Sequence, residues 1–507
     1  MTILNSIASW WMKKRMHQIE LFMKYPNDVQ NECLRKLITS AKDTDWGRFH
    51  DYKNIHNHEQ FKSAVPIQDY DTLKPFIDRV RRGEQNILWN TDIKWFAKSS
   101  GTTNDKSKFI PVSKESLDEC HYNGGRDMIS IYCSLYPETH LFTGKNLGLG
   151  GSLETDSFGS YESQNGDLSA IVMNNLPMWA EFFRSPDLSI ALMDKWDEKV
   201  EKLSNAIIEE NIISLAGVPS WMLLIMKRVL EITGKKSIVE VWPDLEVYFH
   251  GGVNFNPYKE QFKTIFNKPD MNYLELYNAS EGFFGIQDQR NSSELLLMLD
   301  YGIYYEFMPI NELGVTESKT LALDEVSTGE TYALVISTNA GLWRYMLGDT
   351  IQFTSLYPFR FKITGRTKHF MNAFGEEIIV DNADKALSIA CEKSGAQIRE
   401  YTAAPVYMQG NENGAHEWLI EFEKQPSTIE YFTEMLDNAL KSINSDYEAK
   451  RYRNLILKQP IVRSLPKDTF YKWFESKNKL GGQHKVPRLS NERKNVEEIL
   501  QLISNKK

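Results

Sequence analysis

The stretch from Phe96 to Pro111 limits most sharply what this chain can fold into. Phe96-Ala97 is an apolar entry, and after Lys98 come five small residues, Ser99-Ser100-Gly101-Thr102-Thr103. Polar residues and two lysines, Lys106 and Lys108, follow, and Phe109-Ile110-Pro111 is an apolar exit. The pattern reads as a strand feeding a loop of small polar residues. Glycine and small hydroxyl residues let backbone N–H groups approach an anion, hydroxyls add donors and lysine adds charge. That chemistry suits a triphosphate, and a Ser/Thr-rich surface turn is the competing reading. It is not a Walker loop, because no glycine precedes a Gly-Lys-Ser/Thr triplet at the required distance.

A chain of 507 residues is too long for one ordinary domain and suggests two or more. Its net charge of -9 argues against non-specific nucleic-acid binding, which needs a basic surface. The four cysteines, Cys33, Cys120, Cys133 and Cys391, are scattered. Neither a disulfide scaffold nor a zinc site is expected, and a reducing compartment fits. Lys13-Lys14-Arg15 follows the apolar N-terminal run instead of preceding it, unlike a secretory signal. No run approaches the ~18 apolar residues needed to span a bilayer. The expected address is the cytoplasm, with the N-terminal segment a helix laid on the core.

Residues 1 to about 45 read as helices from apolar residues at helical spacing. Asp71 is placed to cap a helix within 61–82. A helix is predicted over 114–135 with Ser113 as its N-cap, and Leu147 to Leu153 reads as a strand end and turn. A helix over 193–210, a buried strand at 212–218 and a helix from Pro219 to Ile232 closed by Gly234 follow. From Leu245 to Gly365 strands alternate with turns. After Gly365 the order is strand, helix 381–394, strands 400–408 and 417–422, then helix 427–443, which suggests a small α+β domain. The expected boundary lies at 360–366, giving domains 1–362 and 363–507.

Five further motifs carry chemistry. His250-Gly251-Gly252 follows a strand and lets a flat group approach the backbone. In Tyr277-Asn278-Ala279-Ser280-Glu281-Gly282, a tyrosine ring is able to stack on a purine and a glutamate to hold Mg²⁺ through hard oxygen ligands. Arg344-Tyr345-Met346-Leu347-Gly348-Asp349 ends in Gly-Asp, read as a turn whose aspartate accepts ribose hydroxyls. Gly365-Arg366 combines a hinge-like glycine with a basic group, and Lys485-Val486-Pro487-Arg488 follows Gly481-Gly482 near the end of the chain. Each alone is also what a turn, linker or tail contains.

Their order is more specific. Ser-Ser-Gly-Thr-Thr, Tyr-x-x-Ser-Glu, Arg-Tyr-x-x-Gly-Asp, Gly-Arg and a late Lys-x-Pro-Arg resemble the motif order of adenylate-forming enzymes, the superfamily of firefly luciferase and acyl-CoA synthetases. Within it the chain is most similar to the auxin-responsive Gretchen Hagen family of acyl-acid amido synthetases. The position of Lys108, Ser280 before Glu281, and Lys-Val-Pro-Arg at the end carry that likeness. Asn104-Asp105 and Asn278 depart from the common superfamily pattern, and the chain is shorter than the plant enzymes. Plant substrates are therefore not carried over.

The resemblance implies an α/β fold, with a large N-terminal ATP- and acyl-binding domain of mixed sheets and helices and a small mobile α+β lid. It implies ATP and Mg²⁺ as cofactors, a small carboxylic acid and an amino acid as substrates, and no nucleic acid or integral membrane association. Ser99, Ser100, Gly101, Thr102, Thr103 and Lys108 would hold the phosphates and Glu281 the metal. Gly251, Gly252, Tyr277, Asn278, Ala279 and Ser280 would border adenine, Asp349 would take the ribose, Arg366 would serve the hinge, and Lys485 would reach the α-phosphate. A thioester-forming ligase and a non-catalytic adenylate-binding protein remain as alternatives.

Overall fold

The computed structural model describes residues 3–99, 108–176, 178–252, 255, 258–315, 319–367, 370–371, 378–407, 414–444, 447–448, 451, 457–477, 485–490 and 492–504. The chain forms two compact units. The larger holds 1–218, 228–252 and 270–362, and the smaller holds 219–227, 253–269 and 363–507.

The larger unit opens with two helices, Ile3–Lys24 and Pro26–Ala41. Pro26 sits at the start of the second, where its missing N–H costs nothing. Cys33, Leu34, Leu37, Ile38 and Ala41 make its buried stripe, as their spacing predicts. Helix Tyr70–Arg81 is capped by Asp69, whose carboxylate accepts the Thr72 N–H at 3.0 Å. The expected cap, Asp71, lies inside the first turn instead. The cap residue must be extended, and Asp69 is, with ψ at -178°. Ser113 does cap its helix, accepting the Ser116 N–H at 2.9 Å. That helix opens with a wide π turn at Ser116–His121 before Tyr122–Leu135.

In chain order the strands are β1 (Trp95–Ser99), β2 (Lys108–Val112), β3 (Lys145–Gly148), β4 (Leu153–Phe158), β5 (Tyr161–Gly166), β6 (Arg184–Ser185), β7 (Ile212–Gly217) and β8 (Val247–Gly251). They continue with β9 (Asn272–Ala279), β10 (Gly282–Ile286), β11 (Leu295–Leu297), β12 (Ile303–Pro309), β13 (Thr331–Thr338), β14 (Tyr345–Leu356) and β15 (Phe359–Arg366). One sheet runs β2-β1-β5-β4, and an eleven-stranded sheet runs β12-β13-β14-β15-β11-β10-β9-β8-β7-β3-β6. In the large sheet β6, β3, β7, β8 and β9 are mutually parallel, while β9, β10, β11 and β15 pair antiparallel, as do β12, β13 and β14. Every residue of β10 and β11 is buried, and so is all of β12 except Pro309, as expected for a sheet covered on both faces.

The smaller unit carries β16 (Phe370–Met371), β17 (Ile378–Ile379), β18 (Gln397–Val406), β19 (Ala415–Lys424) and β20 (Ile461–Leu465). β18-β19-β20 form its sheet. Alternation along the strands builds two cores. Ala403, Trp418 and Ile420 pack with helices Val380–Ser394 and Ile429–Ile443. Ala404 and Leu419 pack with helices Thr469–Ser476 and Lys494–Ser504. Side chains that alternate between faces let one thin sheet serve both layers.

Candidate active site

β1 and β2 are antiparallel, and Ser99 ends β1 directly opposite Lys108, which starts β2. Ser100, Gly101, Thr102 and Thr103 lie outside the described residues, between these two strand ends. The ammonium of Lys108 donates to the Tyr345 hydroxyl at 3.3 Å. It also stands 5.7 Å from the Tyr70 ring centre and 5.9 Å from that of Tyr345.

Gly251 closes β8 beside Leu276 of β9. A Cβ there would come within 2.5 Å of the Leu276 carbonyl oxygen and 3.3 Å of Asn278 Oδ1. Only glycine allows the two strands this approach, which ties the double-glycine motif to the Tyr-x-x-Ser-Glu motif. Gly252, at φ 79°, then turns the chain out of the strand. Tyr277, Asn278 and Ala279 finish β9, and Ser280-Glu281 form the two-residue tip of its hairpin with β10, where Ala279 pairs with Gly282. Ser280 is buried and Glu281 is half-buried at the tip.

Asp349 lies within strand β14, not at the turn expected from Gly-Asp. Between Val335–Met346 and Ala333–Thr350 the β13–β14 register slips, so four steps on β14 face two on β13. This bulge contains Leu347, Gly348 and Asp349, with Gly348 at φ 90°. Bulges re-aim side chains. Here Asp349 accepts a 2.6 Å hydrogen bond from the Tyr277 hydroxyl, with both residues buried. Two motifs 72 residues apart thus meet through their functional side chains.

The arginine of that motif points elsewhere. Arg344, at φ 42°, is buried and donates to both oxygens of buried Glu306, with Nε–Oε2 at 2.8 Å. Its other nitrogens donate to Thr320 Oγ1 and to the Lys62 and Val65 carbonyls. It is an anchor for the start of β14. Arg366 ends β15 after Gly365, which has φ 149°; its side chain lies outside the described set.

Lys485 is exposed, in the smaller unit. The residues after it are firmly held. Val486 is buried in a core, Thr402 donates to the Pro487 carbonyl at 2.6 Å, and the Ala403 N–H donates to the Arg488 carbonyl at 2.8 Å. Arg488 pairs with Glu400, stacks 4.6 Å from the Tyr401 ring centre and donates to the Tyr258 hydroxyl. Burial drives the Glu400 carboxyl upward against the pull of Arg488.

Three polar groups lie outside these motifs. Glu275 shares a face of β9 with Tyr277, by strand alternation, and burial pushes its carboxyl up to about 7. Lys199, buried on helix Trp196–Ile207, donates to the Gly150 and Gly151 carbonyls at 2.6 and 3.1 Å, and burial brings its ammonium down to about 8. Asp167 closes the other side of that loop, accepting the Ser152 N–H at 2.9 Å. A Cβ on Gly151 would sit 1.5 Å from Asp167 Oδ2, so the double glycine is packing around a structural clamp. Charged residues inside strand and helix patterns were the available signal for Glu275 and Lys199.

Glu281 offers one carboxylate, a hard oxygen ligand. Among the described residues no group of three or more His, Cys, Asp or Glu is set to cage a metal. Mg²⁺ is commonly held by one or two carboxylates together with substrate phosphates, so one glutamate fits an ion that arrives with its nucleotide.

Comparison with known proteins follows the same outline. Residues 15–271 match the GH3 family N-terminal domain, 296–366 its central domain and 381–494 its C-terminal domain. The chain is 24% identical to the indole-3-acetic acid-amido synthetase GH3.3 of Arabidopsis thaliana, over 94% of this chain and 91% of that one. It is 23% identical to the 4-substituted benzoates-glutamate ligase GH3.12 of the same plant, over 91% and 92%. Among solved structures, the AtGH3.15 acyl acid amido synthetase in complex with 2,4-DB superposes with a TM-score of 0.81 at 16% identity, over 97% of this chain and 96% of that one. A 2-hydroxyisobutyryl-CoA ligase in the postadenylation state gives 0.61 at 13%, over 94% and 91%.

Proposed function

The chain belongs to the GH3 family, and from that premise we propose that it is an ATP-dependent acyl-acid amido synthetase acting on a small carboxylic acid and an amino acid. A carboxylate oxygen attacks the α-phosphorus of ATP and pyrophosphate leaves, giving an acyl-adenylate. An amine nitrogen then attacks the acyl carbonyl, AMP leaves, the nitrogen loses its proton and an amide results.

The observation that carries the residue-level reading is convergence on β14. Lys108, from the Ser/Thr loop, bonds Tyr345 at the start of that strand, and Tyr277 bonds Asp349 in its bulge. In our reading Lys108, with Ser99, Ser100, Gly101, Thr102 and Thr103, holds the β- and γ-phosphates. Asp349 accepts the ribose hydroxyls, and Gly251, Gly252, Tyr277, Asn278, Ala279 and Ser280 border the adenine. Glu281 holds Mg²⁺, which when bound neutralises phosphate charge. Lys485 approaches the α-phosphate, and Arg366 steadies the hinge strand. Catalysis in the first step is chiefly positioning and charge stabilisation. None of the helices among the described residues is long and apolar enough to cross a membrane. Four free cysteines support a cytoplasmic address.

The test is exchange of labelled pyrophosphate into ATP, with Mg²⁺, across a panel of aryl and fatty acids, followed by addition of amino acids or CoA. Acid-dependent exchange, with AMP release that requires an amino acid, is the expected result. AMP release that requires CoA instead, or ATP binding without exchange for any acid, overturns the reading.

A further inference from the structure

We propose that Tyr345 and Tyr70 are positioning residues for Lys108, forming a cradle that aims its ammonium group toward the phosphates of ATP. The proposal rests on the reading of Lys108 as a phosphate-binding lysine. The ammonium donates to the Tyr345 hydroxyl and lies 5.7 Å from the Tyr70 ring centre, within cation–π range of that ring.

The cradle is stitched together by one segment. Tyr345 and Gln68 form a parallel bridge, in which the Gln68 N–H donates to the Arg344 carbonyl at 2.9 Å and the Met346 N–H donates to the Gln68 carbonyl at 2.8 Å. Two residues after Gln68, Tyr70 begins the helix capped by Asp69. The Tyr70 hydroxyl accepts the Phe109 N–H at 2.8 Å, next to Lys108 in β2. Arg344 secures the start of the same segment through the Lys62 and Val65 carbonyls. Both tyrosines are buried, Tyr345 completely. A lysine side chain carries about 2 kcal/mol of rotamer entropy, so holding it before ATP arrives lowers the cost of engaging the phosphates.

A double-mutant cycle tests this, using Tyr345→Phe, Lys108→Ala and the pair, with an acid that supports exchange. Two quantities are read: kcat/KM for ATP in pyrophosphate exchange, and equilibrium binding of AMP, which lacks the β- and γ-phosphates. Tyr345→Phe is expected to lower kcat/KM about fivefold, the scale of one hydrogen bond, and to leave AMP affinity within about twofold. In the Lys108→Ala background it is expected to add nothing. Wild-type exchange in Tyr345→Phe, an equal loss of AMP affinity, or multiplicative effects in the double variant each overturn the cradle. If Lys108→Ala itself exchanges like the wild type, the phosphate role of Lys108 fails and the cradle with it. That result is told apart from a failed cradle by the lysine variant alone. Should Tyr345→Phe not fold, Tyr70→Leu removes the other ring and is held to the same outcomes.

Discussion

Tyr277 and Asp349 show how little of a site depends on any one residue's chemistry. A tyrosine after a strand and an aspartate after a glycine are common. What distinguishes them is a buried 2.6 Å bond that turns the carboxylate toward one orientation. A hydrogen bond to a charged group contributes about 1.5–3 kcal/mol. Tyr277→Phe is therefore expected to raise KM for ATP about tenfold with a smaller change in kcat, measured by steady-state pyrophosphate release. An unchanged KM would remove the Tyr277–Asp349 bond from the proposed nucleotide site. Glu275, two residues earlier, supplies a pH signature. Its folded carboxyl titrates near 7, against the ordinary value of 4.5, because burial disfavours the charge. Between those values the folded state holds a proton that the unfolded state has released, so stability falls as pH rises through this window. Glu275→Gln is expected to abolish that fall, raising the urea midpoint relative to wild type at pH 8 but not at pH 4. Parallel midpoint curves for the two proteins would show that Glu275 is not buried as a neutral acid. A charge inside a strand pattern marks Glu275 in the sequence but not its protonation, since desolvation depends on what packs over the strand.

At the level of elements, the helices were the most legible. The stripe on Pro26–Ala41, the Ser113 cap and the left-handed Gly234 after the helix Pro219–Thr233 all follow from periodicity and capping chemistry within a few residues. The two-residue error at Asp71 arose because Asp69 and Asp71 are equally suited to capping and only the backbone angle selects between them. β14 was less legible. Its start reads as a turn because Gly348-Asp349 has turn chemistry, whereas the pairing with β13 absorbs both residues in a bulge. What pins that strand is the buried Arg344–Glu306 pair. Arg344→Met is expected to destabilise the protein by about 3–5 kcal/mol, since Glu306 is left buried and uncompensated. Urea unfolding checks it, and adding Glu306→Leu is expected to recover part of the loss. Equal stability of Arg344→Met and wild type would mean that the guanidinium contributes nothing as an anchor.

On the scale of the whole molecule, the proposed role of Lys485 belongs to the smaller unit. Lys485 is exposed while its followers, Val486 to Arg488, are locked into the smaller unit, so the lysine stands on a rigid mount. Lys485→Ala is expected to reduce acyl-adenylate formation by at least a hundredfold, the scale of losing one charge-stabilising donor, while ATP affinity changes little. Equal loss in single-turnover adenylation and in ATP binding would sink this placement. The chain's division also differs in kind from a cut in the sequence. Residues 219–227 and 253–269 leave the larger unit's run and pack with the smaller, as Gln261 does by donating to the Ile398 carbonyl at 3.0 Å. The sequence by itself determined the identity and order of the motifs, most helix ends and the small α+β character of the C-terminal part, because these rest on spacing and local backbone chemistry. Only the tertiary structure decided that Lys108 meets Tyr345 across 237 residues, that Arg344 faces a glutamate within the core, and that packing over β9 drives the Glu275 carboxyl upward. Those outcomes depend on strand order and desolvation, which distant parts of the chain impose together.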